Sequence, residues 1–247
     1  MPAKGMQLSV ALEVLNLSKF FEDKSIFKEI SFNLKENEIL SILGPSGCGK
    51  TTLLNSISGI DDNFSGEIKT NTKVKRKIDN FSYAQQKDLL IPWRNVLDNA
   101  VFGLEINNIN KNESYPKALS LMSKFKLNGA EKKFPHELSG GMRQRVSLIR
   151  SFLLERPILL LDEPFGSLDS ITREDLQDWL IDILKTYKMS VIFVTHDINE
   201  AIKISDRIIV LGGKTGKIIK EINLKSNQKD NSSIYKDIRL SLEGIDD

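Results

Sequence analysis

After the middle of the chain come two short runs without a polar residue, 158–161 and 191–194. A strand that is apolar at every position is covered on both faces, the situation of a parallel sheet with helices outside it. Residues 38–43 form a third such run, mostly apolar and ending at Gly44. Alternation over residues 8–17, and a similar pattern over 26–34, predicts two more strands. Glu67-Ile68-Lys69 and residues 81–84 are shorter candidates, the first of them after a turn at Asn63-Phe64-Ser65-Gly66. Helical spacing appears at Leu53, Leu54, Ile57 and Ile60. It returns over residues 93–127, first at Val96, Leu97, Ala100, Val101 and Leu104, then at Ala118, Leu119, Leu121, Met122 and Phe125. Ser139 is placed to cap a helix through Met142, Val146, Ile149 and Leu153, and residues 169–187 read as the helix between the two apolar runs. From Lys225 the chain turns polar, with Ile234, Ile238 and Leu242 at i, i+4 and i+8, which predicts a short terminal helix rather than a second domain. Strands alternating with helices predict an α/β fold.

The stretch Gly44-Pro45-Ser46-Gly47-Cys48-Gly49-Lys50-Thr51-Thr52 lies between the strand at 38–43 and the helix at Leu53, and it fits G-x-x-x-x-G-K-[ST]. A glycine-rich turn that opens a helix aims several backbone N–H groups at one small volume, and the helix dipole adds to them. Glycine allows dihedrals and a close approach that a side chain would block. Lys50 is then placed for the β- and γ-phosphates of a nucleotide and the Thr51 hydroxyl for Mg2+.

The two apolar runs also end in reactive groups. Residues 158–161 lead into Asp162-Glu163, and Val194-Thr195 leads into His196-Asp197. Ligands of open α/β sheets gather at the carboxyl ends of strands. Asp162 is placed to hold Mg2+, Glu163 to polarise an attacking water, and His196 to hydrogen-bond a γ-phosphate. Alone, a carboxylate pair after a strand is usually a helix cap and a single histidine more often structural; the glycine loop in the same sheet reverses that balance toward the catalytic reading.

The stretch Leu138-Ser139-Gly140-Gly141-Met142-Arg143-Gln144-Arg145 opens a helix on Ser139 and paired glycines, a second terminus suited to an anion. One nucleotide does not need two such termini from a single chain. The simplest reading gives the second to the γ-phosphate of a nucleotide held by another copy; an ordinary capped helix after a glycine turn is the alternative.

Composition narrows the field. The 247 residues suffice for one sizeable core. Lys and Arg number 35 against 33 Asp and Glu, a balance that argues against a general polyanion-binding surface. The single cysteine, Cys48, excludes an internal disulfide and suits a reducing compartment. No apolar run approaches the roughly 20 residues of a membrane span, and no signal-peptide core opens the chain, so the protein is read as soluble. If it works at a membrane, a partner supplies the membrane part.

Taken together these motifs resemble the ATPase subunits of ABC transporters over nearly the whole chain. The resemblance implies a P-loop NTPase core with a mostly parallel sheet, an N-terminal antiparallel β subdomain and a helical subdomain at about 87–155. It spans 1–224 and leaves 225–247 as a polar tail. Leu138 to Gln144 looks like the signature of that family, so Ser139, Gly140, Gly141 and Gln144 join the P-loop residues as ATP-binding. Asp162 resembles the Walker B aspartate, Glu163 the catalytic glutamate, His196 the switch histidine, and 167–169 the D-loop. Gln86 rather than Gln85 resembles the Q-loop glutamine, which touches both the metal and the catalytic step. Phe21, with Phe20 as the alternative, resembles the aromatic that stacks on adenine. Leu89-Leu90-Ile91-Pro92-Trp93-Arg94-Asn95-Val96 is similar to importers of the nitrate, sulfonate and taurine type, in which a transmembrane permease docks on this segment, here residues 89–104. Gln85, Ser167 and Ser170 depart from the usual pattern, and the long C-terminal domain of the sugar importers is missing.

The resemblance implies a homodimer on the cytoplasmic face of a membrane, hydrolysing ATP with Mg2+ and serving a solute-binding protein indirectly. Nitrate, sulfonate, taurine and a thiamine precursor all stay open as the solute. A soluble ABC ATPase acting as an assembly or nucleic-acid module is the competing reading. The short spacing between the glycine loop and Ser139 and the absence of a basic stripe speak against nucleic acid.

Overall fold

The computed structural model describes residues 9–22, 24–71, 77–166, 168–213, 215–225 and 230–244. Its elements are, in chain order, β1 (Val10–Phe21), β2 (Lys24–Lys35), β3 (Ile39–Leu43), α1 (Lys50–Ser58), β4 (Ser65–Thr70), β5 (Phe81–Ala84), α2 (Val96–Ala100), α3 (Phe102–Ile106), α4 (Lys111–Lys124), α5 (Gly140–Phe152), β6 (Ile158–Asp162), α6 (Ser170–Tyr187), β7 (Ser190–Thr195), α7 (Ile198–Ile204), β8 (Arg207–Gly212), β9 (Lys217–Asn223) and α8 (Asn231–Glu243). The chain divides into two compact units, Met1–Asn80 with Lys188–Asp247, and Phe81–Tyr187.

In the first unit, β1 is the centre of an antiparallel sheet ordered β2-β1-β4. Gly66 in β4 takes φ 102°, and a Cβ there would stand 2.5 Å from the Asn16 carbonyl oxygen and 2.6 Å from that of Leu15. The expected turn at 63–66 therefore already contains the start of this strand. A second set of strands places β3 between β7 and β8 in parallel, with β9 antiparallel on β8. All five residues of β3 and all six of β7 are buried, as their mostly apolar sequences predict. Terminal helix α8 buries Ile234 and Ile238 against Leu43, Ala201, Ile208, Val210 and Ile222. Burial of such side chains contributes about 1.5–3 kcal/mol each, so this polar-looking tail is part of the core of its unit. Arg207, at the start of β8, is buried with Glu38, which accepts from its Nε at 2.8 Å and its Nη2 at 3.0 Å.

The second unit pairs β5 with β6 in parallel, Phe81 opposite Ile158 and Ala84 opposite Leu161. The helical pattern over 93–127 resolves into three helices rather than a continuous one. Asn108 takes a left-handed φ of 62° and Asn110 caps α4 by accepting from the Glu113 N–H. Asparagine favours such caps and turns over helix interiors, and it interrupts the apolar periodicity here. Ile60 likewise falls outside its expected helix and is 54% exposed, because Gly59 ends α1 at φ 79°. No element is expected above between His196 and Lys225, where α7, β8 and β9 lie: α7 has only seven residues, but residues 208–211 of β8 are a wholly apolar run that sequence reasoning passes over. Leu8 and Ser167 lie outside the described residues. Among the described residues no helix is long and apolar enough to cross a membrane.

Candidate functional site

Each unit presents the carboxyl ends of two neighbouring parallel strands, and the candidate residues sort themselves onto these ends. In the first unit the strands are β3 and β7. Leu43 pairs with Thr195, and the Gly44 N–H donates to the Thr195 carbonyl, so the glycine loop and His196 leave the sheet side by side. Gly44 itself is confined, for a Cβ there would come within 2.8 Å of Cys48 Sγ and of the Leu211 carbonyl. Gly47 at φ 81° has open space above it, and Gly49 enters α1 at φ 94° with its would-be Cβ 2.9 Å from Ile26. Among the described residues no side chain caps α1 at Gly49, which leaves the first N–H groups of the helix uncapped from within. Buried Lys50 donates to the carbonyl oxygens of Gly44 at 2.8 Å and Pro45 at 2.9 Å, which holds its ammonium over the loop. Pro45, Ser46 and Thr51 are exposed, Cys48 and Thr52 half-buried. His196 is exposed at the strand end, followed by Asp197, whose carboxylate caps α7 by accepting from the Asn199 and Glu200 N–H groups. Phe21 ends β1 with 68% of its surface exposed, and Phe20 beside it is 50% exposed. Two exposed aromatics at a strand end suit a flat ring ligand.

In the second unit the strands are β5 and β6. Gln86 follows β5, and its Nε2 donates to Glu163 Oε2 at 3.3 Å. Glu163 takes φ 43°, a left-handed conformation that costs a non-glycine residue about 1–2 kcal/mol. Such strain persists only where the surroundings hold it, here by the Gly166 N–H donating to the Glu163 carbonyl at 3.1 Å. Gly166 leaves room at this place, since a Cβ on it would lie 3.7 Å from Glu163 Oε2 and 3.9 Å from Gln86 Nε2. Asp162, the last residue of β6, is 1% exposed, and Tyr83 of β5 donates its hydroxyl to Asp162 Oδ2 at 3.2 Å. Burial, and then the neighbouring carboxylate, push the Tyr83 phenol well above its ordinary range, so it stays a neutral donor. Tyr83 is a residue that sequence reasoning passes over, because a tyrosine inside a short apolar strand reads as core.

The turn before α5 is built differently from the glycine loop. Ser139 and Gly140 are exposed, and Ser139 Oγ accepts from the Met142 N–H at 3.3 Å, capping its own helix. Gly141 is buried, and a Cβ there would strike Thr172 Cγ2 at 2.5 Å. Gln144, expected with these residues at one anion site, is 97% buried on the inner side of α5, and its Nε2 finds no hydrogen-bond partner among the described residues. The structure therefore brings Ser139 and Gly140 to one surface and leaves Gln144 inside.

Residues 88–95 connect to the same helix. Arg150 of α5 donates to the carbonyls of Asp88 at 2.7 Å and Leu89 at 2.8 Å, and Arg143 Nε donates to Asp88 Oδ2 at 3.1 Å. Arg143 Nη1 also donates to the Leu138 carbonyl at 2.9 Å. From the other side Asn99 accepts from the Ile91 N–H and donates to the carbonyls of Ile91, Arg94 and Asn95. The loop is thus pinned while Leu89 is 50% exposed and Trp93 78%.

Comparison with known proteins agrees with this arrangement. Residues 27–166 match the family model described as ABC transporter. An uncharacterized ABC transporter ATP-binding protein of Methanocaldococcus jannaschii is 42% identical over 224 residues, covering 89% of this chain and 84% of the relative. The aliphatic sulfonates import ATP-binding protein SsuB of Bacillus cereus is 36% identical over 237 residues, 93% of each chain. Among solved structures, a dimeric bacterial ABC transporter cassette superposes with a TM-score of 0.75 at 29% identity, covering 87% of this chain and 100% of the other. Strand ends, glycine loop and relatives converge: this chain belongs to the ABC transporter family, among its ATP-binding proteins.

Proposed function

We propose that this protein is the ATP-hydrolysing subunit of a membrane importer for a small sulfonate-type anion, and that it works as a homodimer. The observation that carries the reading is the contact between Gln86 and Glu163. It puts a flexible amide, two residues beyond β5, against the carboxylate assigned to polarise water, and two residues further on begins the pinned loop that exposes Leu89 and Trp93. A permease seated on residues 89–104 then has a short covalent route to the hydrolytic group. The sulfonate class follows from the name of the B. cereus relative, which this chain matches over nearly its full length.

In this reading the glycine loop and Lys50 bind the β- and γ-phosphates, and Phe21 or Phe20 stacks on adenine. The donors assigned to Mg2+, the Thr51 hydroxyl, the Gln86 amide oxygen and the Asp162 carboxylate, are hard oxygens of the kind this ion takes alongside substrate phosphates. When bound, the ion neutralises charge on the phosphates. Glu163 accepts a proton from the attacking water, Gln86 holds the Glu163 carboxylate, and His196 donates to the γ-phosphate. Ser139 and Gly140 face the nucleotide of a second copy, which makes hydrolysis depend on dimerisation. The protein lies at the cytoplasmic face of the membrane through its permease, and 1–224 acts as the ATPase domain with a helical subdomain.

The direct test is Glu163→Gln. Removing a general base costs about 10²–10⁴ in rate, so this variant binds ATP, hardly turns it over, and elutes as a stable dimer with Mg-ATP. Hydrolysis at the parental rate defeats the assignment. Co-purification of the tagged protein with a membrane permease, followed by uptake assays with taurine, alkanesulfonates, nitrate and a thiamine precursor, then reads the solute. A soluble or DNA-bound complex instead supports the competing reading.

A further inference from the structure

Asp162 and Tyr83 stand on one face of the second unit's strand pair for a simple reason of register. Tyr83 lies opposite Leu160, and Asp162 is two residues beyond Leu160 on the same strand. Side chains two apart share a face and are separated by about 6.6 Å along the strand. A tyrosine is long enough to lean across that interval, and its hydroxyl meets Asp162 Oδ2 at 3.2 Å. The bond occupies one carboxylate oxygen and fixes the plane of the group, in surroundings where Asp162 is only 1% exposed.

We propose that Tyr83 is a positioning residue whose hydroxyl orients the Asp162 carboxylate toward Mg2+, so that it sets the affinity of the site for the metal and not for the nucleotide. This rests on the reading of Asp162 as the metal-binding carboxylate. Outer partners that orient a metal ligand are typically worth 10–100-fold in metal affinity or activity. A phenol suits the task because it donates one hydrogen bond and reaches across from the neighbouring strand to do so. Packing alone does not need the oxygen: a phenylalanine ring fills the same space.

Tyr83→Phe separates the two roles. The full chain carrying Glu163→Gln, which holds nucleotide without turnover, is titrated with Mn2+ in the presence of ATP, and bound metal is read by electron paramagnetic resonance. A fluorescent ATP analogue measures nucleotide affinity in EDTA. Adding Tyr83→Phe raises the Mn2+ midpoint about ten-fold and leaves nucleotide affinity in EDTA unchanged. A midpoint within about two-fold of the parent overturns the proposal, since that is well under the effect of an orienting partner. An equal loss of nucleotide and metal affinity, or loss of the fold, also overturns it, because the hydroxyl is then structural. Asp162→Asn run in parallel distinguishes the failures. If that variant too binds Mn2+ as the parent does, the metal reading of Asp162 falls together with the proposal; if it alone loses Mn2+, only the role of Tyr83 falls.

Discussion

The two helix starts that the sequence marks for anions, at α1 and α5, are made by opposite means. The start of α1 has no side-chain cap, enters from a left-handed Gly49, and is closed over by its own buried lysine. The start of α5 is capped by its own Ser139 and projects Ser139 and Gly140 to solvent, while Gly141 and Gln144 are turned into the interior. A cradle of the first kind binds phosphate by itself. A convex, self-capped turn gathers too few donors to do so, and gains a phosphate only when another surface brings one to it. Under the proposed function, the difference is what would make a second chain necessary to finish the site.

The strongest way to break this comparison is at Lys50. With its ammonium held over the loop by two carbonyls, Lys50→Ala removes the one charge of the cradle. Loss of such a positioned donor costs about 10²–10³ in rate, and a fall in kcat/KM of that size is expected, together with loss of ATP binding by equilibrium dialysis. Activity within ten-fold of the parent would place the phosphates elsewhere.

A matched pair of glycine substitutions sharpens the contrast at an intermediate level. Gly49→Ala forces a Cβ to within 2.9 Å of Ile26 at φ 94° and is expected to destabilise by roughly 1–3 kcal/mol, visible as a lower melting temperature and weaker ATP binding. Gly140→Ala meets nothing nearer than 3.8 Å, and alanine is the better helix former. It leaves the melting temperature unchanged or slightly higher, keeps ATP affinity, and lowers hydrolysis several-fold by hindering the face offered to a second copy. Equal melting temperatures and equal activities for the two variants would mean that the two starts are alike after all.

Much of this contrast is legible in the sequence and some of it is not. The glycine loop is readable because its chemistry is local: strand, glycines, lysine and helix follow one another, and the structure keeps that order. Asp162, Glu163 and His196 are readable because a wholly apolar strand announces where it ends. Gln144 shows the limit. It sits three residues from Gly141, yet helical geometry turns its side chain to the interior, and only the packing around α5 decides that. Tyr83 and Asp88 fail to stand out for a related reason: their partners, Asp162 and Arg143, are 79 and 55 positions away. Long-range pairing thus hides what local order reveals. In the fold, β8 does not escape for want of a signal: its residues 208–211 are as unbroken an apolar run as 158–161 and are simply passed over, whereas β9 has one buried position, Ile222, and gives little to read.

The smallest expected effect tests what replaces the missing lysine at the second start. The turn before α5 is tied down by Arg143, which donates both to the Leu138 carbonyl and to Asp88 in the exposed loop. The side chains of Arg143 and Asp88 are 38% and 30% exposed, so the pair is worth less than about 1 kcal/mol to stability. Arg143→Met should therefore barely move the melting temperature, and with α1 and Lys50 untouched the KM for ATP should hold. The turn, freed from the loop, should present Ser139 less well, and kcat should fall a few-fold. Asp88→Asn weakens the same tie from its other end. Because the two residues act through one contact, the double variant should be no slower than the more affected single variant, the non-additivity expected of neighbours. Additive losses would separate the two residues and leave the signature turn, like the glycine loop, dependent on its own structure alone.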